Sequence, residues 1–136
     1  MSEQNVQIAR RAAELGKARD WDALFELVDP DIEWRDQMHA PDVPEVLHGI
    51  EQVRGLIAQW DAAYATLTAE ALEYVDADPW VICVNRWHGE AKASGLEVEV
   101  RSYDAYDIRD GKIVRSFGGY TSLAAVKEAI GAGDRS

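Results

Sequence analysis

The chain has 136 residues, 47% of them hydrophobic, which suits one globular domain with a buried core and excludes a disordered chain. Its 25 Asp and Glu residues outnumber its 14 Lys and Arg residues, giving a formal net charge of −11. Nucleic acid and anionic membrane surfaces are therefore excluded as partners, because both require basic patches. The single cysteine, Cys83, excludes an intramolecular disulfide, and we expect no signal peptide and no membrane span. These features predict a cytoplasmic protein.

The first half of the chain is predicted to be mainly helical. Asp20 is a suitable N-cap for a helix, and Asp29-Pro30-Asp31 should end that helix. Apolar residues recur at helical spacing from Val53 to Tyr64. The predicted elements are a helix over 4–17, a helix over Trp21–Val28, a strand over Ile32–Asp36, a loop over Met38–Leu47 and a helix over Ile50–Tyr64.

The second half is predicted to consist of strands joined by turns. The segment Thr66–Asp76 would also suit a helix, but we predict a strand there. Asp110-Gly111 is a strong hairpin signal. The other predicted elements are strands over Trp80–His88, Leu96–Ile108 and Ile113–Tyr120, and a helix over 122–130 with frayed residues at 130–136. This order indicates a single α+β domain over 1–136, with an antiparallel sheet and helices on one face.

The strand that begins at Trp80 predicts a homodimer. Its first five residues, Trp80 to Val84, are all apolar, so both faces of this strand need cover. If the helices cover one face, a second copy of the chain should cover the other. We therefore predict a homodimer formed through the outer face of the sheet.

Asp104 is the clearest chemical candidate. The strand Leu96–Ile108 alternates, and the face that we predict to be buried consists of Leu96, Val98, Val100, Ser102, Asp104, Tyr106 and Ile108. A buried carboxylate must be hydrogen-bonded, protonated or functional. One interpretation is a structural acid bonded to a backbone amide or to Tyr106, and the other is a functional acid.

A family resemblance supports the functional interpretation. The segment from Asp104 to Ile113 resembles the late-strand hairpin of SnoaL-like polyketide cyclases and ketosteroid isomerases, which belong to the nuclear transport factor 2-like superfamily. The segments 20–24, 29–34 and 48–51 resemble further landmarks in the same order, so the resemblance covers about residues 4–130. It implies a cone: a strongly curved antiparallel sheet wrapped around the N-terminal and central helices, with an apolar pocket at the open end.

The resemblance also implies roles for two acids. Asp104 matches the acid/base of the cyclases and a protonated acid of the isomerases, while Asp36 matches the general base of the isomerases. Two acids in one apolar pocket can divide acid and base roles. We therefore predict cofactor-free proton transfer on a small hydrophobic molecule by Asp104 and Asp36. The residues predicted to line the pocket are Trp34, Trp60, Ser102, His88, Tyr106 and Phe117. For the strand 80–88, the sequence leaves open whether Arg86 and His88 or Asn85 and Trp87 face the pocket.

Other reactions of this superfamily are not predicted. Steroid isomerisation is not predicted, because Ala12 and Ile57 stand where the isomerases carry tyrosines. Epoxide hydrolysis is not predicted either, because Ser102 stands where limonene epoxide hydrolases carry an arginine. The three histidines lack metal-ligand spacing, so we predict no metal. His39 lies in a loop that is either a lid or a connector.

The alternatives to an enzyme are a module that binds a hydrophobic ligand without turning it over and a dimeric interaction module.

Overall fold

A computed structural model describes residues 2–38 and 43–135, so His39 lies outside the described residues. The elements are α1 Ser2–Lys17, α2 Trp21–Glu26, β1 Val28–Asp36, β2 Val46–His48, α3 Ile50–Ala63, β3 Tyr64–Ala77, β4 Trp80–Ala91, β5 Glu97–Arg109, β6 Lys112–Tyr120 and α4 Leu123–Arg135. A curved, unclosed sheet of six strands packs with these helices, which confirms the predicted α+β class. In the described part of the chain, no helix has the length and apolar character that a bilayer span requires.

The sheet has the strand order β2-β1-β6-β5-β4-β3. Four of its pairings are antiparallel, as predicted, and the pairing of β1 with β6 is the parallel exception. The edge strand β2 lies partly within the predicted loop Met38–Leu47. It was not predicted, because three residues are too few to show strand alternation. Pro30 lies inside β1, where the pairing with β6 is irregular between Val28 and Glu33, so it breaks the ladder without ending the strand.

The inner face of the sheet packs against the first three helices. The core there joins Ala9 of α1, Phe25 of α2 and Val53 of α3 to Val81 and Ile108 of the sheet. The apolar stripe that predicted α3 is thus the face that it buries. Burial of this stripe holds α3 across the sheet and positions the inner-face residues described below.

The outer face is covered in part by α4, which continues past its predicted end at residue 130. Val126 and Ile130 pack against Trp80, Ile82 and Phe117 on this face. The assumption that helices cover only one face is therefore wrong: the chain covers the apolar outer residues of β4 with its own last helix. The homodimer stays a prediction.

The burial of β5 also differs from the predicted single buried face. Leu96 and Val100 are exposed, whereas Ala105 and Asp107, on the opposite face, are fully buried. Part of the reason is α4, which packs on the outer face in the cluster that contains Ala105. Alternation identifies the two faces of a strand, but it does not locate the helices that bury them.

Gly89 is expected to tolerate no side chain. It pairs with Leu67 beside an irregularity between Tyr64 and Thr66, and a methyl group on it would overlap the carbonyl oxygen of Thr66. Because backbone atoms must move, we expect Gly89→Ala to lower the free energy of unfolding by about 1–3 kcal/mol. Urea denaturation measures this loss.

A matched control is Gly55→Ala in α3. A methyl group there meets no atom within 4 Å, so the expected change is a gain of about 0.5–1 kcal/mol from helix propensity. Equal stability changes in the two variants would contradict the close approach at Gly89.

Candidate functional site

Asp104 lies in the middle of β5 on the inner face of the sheet. Its partner across the ladder is Cys83 of β4, which belongs to the inner core. Only 7% of Asp104 is exposed. The carboxylate is therefore buried on this face.

A polar network holds this carboxylate. Asn85 Nδ2 donates to Asp104 Oδ2 at 2.6 Å, and Ser102 Oγ donates to the same oxygen at 2.7 Å. The backbone N–H of Gly119 donates to Oδ1 at 2.8 Å. Trp87 Nε1 donates to Ser102 Oγ at 2.9 Å, so the serine hydroxyl accepts a hydrogen bond from Trp87 and donates one to Asp104. The donors fix the orientation of the carboxylate.

The two oxygens of Asp104 differ in what surrounds them. Oδ2 accepts two of the three hydrogen bonds and Oδ1 accepts one. A carboxylate has about four lone-pair positions, so one acceptor position on Oδ1 is left. A methyl group on Gly118 would lie 2.8 Å from Oδ1. A side chain at position 118 would therefore collide with Oδ1, and glycine avoids this collision.

Burial raises the pKa of Asp104 above its usual value. The hydrogen bonds from Gly119, Asn85 and Ser102 lower the pKa in part, and the negative charge of Asp36 raises it further. Loss of hydration is the largest of these effects because it disfavours the ionised form. An acid shifted towards neutral pH is better suited to proton transfer.

Asp36 approaches the same part of the inner face from the other side of β6. It pairs with Gly118 across the parallel ladder, and its Oδ1 accepts a hydrogen bond from the N–H of Met38 at 2.8 Å. A methyl group on Gly119, which has a φ of 81°, would lie 2.7 Å from Asp36 Oδ1. The Gly118-Gly119 pair thus lies between the two acids.

This glycine pair was not predicted as part of the site. The signal was present, because two glycines inside a strand often mark a close approach. Asn85 and Trp87 belong to the alternative that the sequence left open. The register settles that question, since pairing of Cys83 with Asp104 turns Asn85 and Trp87 to the inner face.

Among the predicted lining residues, Ser102, Tyr106, Trp34 and Trp60 lie on the inner side, the last at 6.0 Å from the ring of Trp87. The prediction that His88 and Phe117 line the pocket is wrong, because both residues lie on the outer face of the sheet, away from Asp104. The two outer residues have other partners: His88 Nε2 lies 3.0 Å from Thr68 Oγ1, and the Phe117 ring lies 4.9 Å from the Trp80 ring under α4.

Two surface depressions occur elsewhere. One, of about 430 Å³, lies between α1 and the β5–β6 turn, and the other, of about 570 Å³, lies beside Arg86 and His88. Neither is lined by Asp104, and the predicted apolar pocket stays a prediction. Within residues 2–38 and 43–135, no group of three or more His, Cys, Asp or Glu side chains is arranged to hold a metal ion.

Comparison with known proteins supports the family assignment. The model of the SnoaL-like domain family matches residues 9–116. None of the curated proteins matches significantly in sequence.

Solved structures share the fold. A nuclear transport factor 2-like protein of unknown function from Burkholderia pseudomallei has a TM-score of 0.76 at 17% identity, covering 92% of this chain and 95% of its own. A Mesorhizobium loti protein described as a candidate SnoaL-like polyketide cyclase has a TM-score of 0.65 at 25% identity, covering 85% and 97%. TerC, co-crystallised with polyporic acid, has a TM-score of 0.76 at 16% identity, covering 92% and 96%. The chain therefore belongs to the SnoaL-like domain family and has the nuclear transport factor 2-like fold.

Proposed function

We propose that this protein binds a small hydrophobic, carbonyl-bearing molecule against the inner face of the sheet and that Asp104 transfers a proton to or from it. The observation that carries the proposal is the buried Asp104 carboxylate, fixed by Asn85, Ser102 and Gly119. No cofactor is required, because proton transfer needs only an acid and a base. The single buried cysteine fits a reducing cytoplasm, and the predicted homodimer is part of the same proposal.

The proposed chemistry is general acid–base catalysis. Ionised Asp104 accepts a proton through Oδ1, the oxygen with the smaller number of hydrogen bonds, and later returns it to another atom of the ligand. Asp36, on the far side of Gly118, serves as the second acid or base. A positioned acid or base of this kind contributes about 10²–10⁴-fold to a reaction rate. The overall reaction is an isomerisation or a ring closure, since no electrons leave the ligand.

The relatives support the choice of ligand class without identifying the ligand. TerC was co-crystallised with polyporic acid, and the Mesorhizobium loti relative is described as a candidate polyketide cyclase. Polyporic acid is therefore a reasonable first probe. One fold hosts many activities, so these relatives guide the choice of probe rather than decide the reaction.

A second candidate function is binding without turnover. The observation that favours it is the saturation of Asp104 Oδ2, because an acid held by two donors on one oxygen also suits a purely orienting role. A ligand recovered unchanged from the native protein would support this candidate. The dimeric interaction module is the remaining alternative, and it requires that no small molecule binds near Asp104.

The test of the proposal is a titration of Asp104 by carboxyl NMR, with and without polyporic acid. We expect a pKa above the usual Asp value of about 3.9 and a change in the Asp104 signal when the probe is added. An ordinary pKa together with an unchanged signal would contradict the proposal.

The raised pKa also predicts how stability depends on pH. The folded protein holds the Asp104 proton more tightly than the unfolded chain does. The free energy of unfolding should therefore fall as pH rises from the unfolded pKa, about 3.9, through the higher folded pKa. Urea denaturation at several pH values checks this, with Asp104→Asn as the control in which this contribution is absent. An identical pH dependence in both proteins would contradict the shift.

A further inference from the structure

Trp34 has an unusual indole nitrogen. In the described part of the chain, its Nε1 is the one buried side-chain N or O atom without a hydrogen-bond partner. Buried donors in folded proteins are nearly always paired, because an unpaired donor loses its hydrogen bonds to water. An unpaired donor is therefore a candidate for contact with a group from outside the chain.

Trp34 lies close to the acids of the candidate site along the sheet. It is on β1, pairs with Ser116 of β6 and, like Trp60 of α3, packs against the cluster that contains Leu47 and Leu56. Two residues further along the same face of β1 is Asp36, which pairs with Gly118. On the other side of Gly118 is Asp104 Oδ1. Trp34 and the two acids thus occupy neighbouring strand positions on the inner face, beside Gly118, which contributes no side chain.

We propose that the Trp34 indole N–H donates a hydrogen bond to the ligand oxygen, which makes the ligand an apolar ketone. This inference rests on the proposed function. An indole N–H is a donor only, so its partner must be an acceptor. The surroundings of Trp34 are mostly apolar, including Leu47 and Leu56, which favours a carbonyl oxygen on a hydrophobic molecule over a multiply charged group.

This assignment completes a balanced proton transfer. Asp104 takes a proton from the carbon next to the carbonyl group, and the electron pair of that C–H bond moves towards the oxygen, which becomes an enolate. The Trp34 N–H stabilises the negative charge on that oxygen. The proton then returns from Asp104 to a carbon of the ligand, so nothing is oxidised or reduced.

The test uses two probes of nearly equal shape, 2-acetylnaphthalene and 2-isopropylnaphthalene, of which only the first has a carbonyl oxygen. We expect Trp34→Phe to weaken binding of the ketone about tenfold, or 1.4 kcal/mol, and to change binding of the hydrocarbon far less. The matched control is Trp21→Phe, at the start of α2, which should leave both affinities unchanged.

A second readout is the indole N–H NMR signal of Trp34, identified by its absence in the Trp34→Phe variant. The ketone should move this signal downfield, and the hydrocarbon should not. An equal loss of affinity for both probes, or an unmoved Trp34 signal while the ketone still shifts the Asp104 carboxyl signal, overturns the role of Trp34 alone. If neither probe binds and the Asp104 signal does not change, the proposed function fails together with it.

Discussion

Removing the carboxylate of Asp107 is expected to lower the free energy of unfolding by about 3–5 kcal/mol. Asp107 is fully buried, and it pairs with Arg115 at 2.7 Å and with Arg109 at 3.0 Å. The Arg115 guanidinium also lies 4.5 Å from the centre of the Trp80 ring, beside the apolar cluster under α4. Asp107→Ala would leave the Arg115 charge in these surroundings without this carboxylate, and desolvated charges of that kind are costly.

Urea denaturation measures the effect, with Asp22→Ala as the control. Asp22 pairs with Arg54 at 3.2 Å, but its side chain is 93% exposed, so its loss should cost about 0–1 kcal/mol. A similar small loss for Asp107→Ala would show that the buried pair does not support the outer-face core.

Replacing Asp104 by asparagine is expected to reduce proton transfer by about 10²–10⁴-fold and to lower the free energy of unfolding by about 1–3 kcal/mol. The amide cannot accept a proton as the carboxylate does. It also places an NH₂ group where Asp104 Oδ2 accepts from Asn85, or where Oδ1 accepts from Gly119. Two donors then face each other in a buried place.

The exchanged pair, Asn85→Asp with Asp104→Asn, separates stability from activity. The donor and the acceptor change places, so the hydrogen bond between the two side chains can form again and most of the lost stability should return. Proton transfer should stay low, because the carboxylate has moved from β5 to β4. Urea denaturation measures the recovered stability, and the turnover rate of a substrate, once one is identified, measures proton transfer. Recovery of the rate together with the stability would contradict the assignment of the base to position 104.

Much of the fold could be predicted from local patterns. The α3 stripe, the Asp110-Gly111 turn and the alternation of β5 each depend on residues close in sequence, and the structure confirms these elements. The parallel pairing of β1 with β6 could not be predicted in this way. It joins Trp34 to Ser116, which lie far apart in the chain, so no local pattern contains it.

The candidate site shows the same division at the level of single residues. The sequence by itself determined that Asp104 lies on a strand face that also carries apolar residues, because side chains alternate along a strand. Only the tertiary structure decided its neighbours. The register of β4 turned Asn85 inward and His88 outward, α4 enclosed Phe117 on the outer face, and the glycines of β6 came between Asp104 and Asp36. Each of these depends on which strand or helix packs beside which, and such contacts follow from the burial of the whole domain rather than from any one segment.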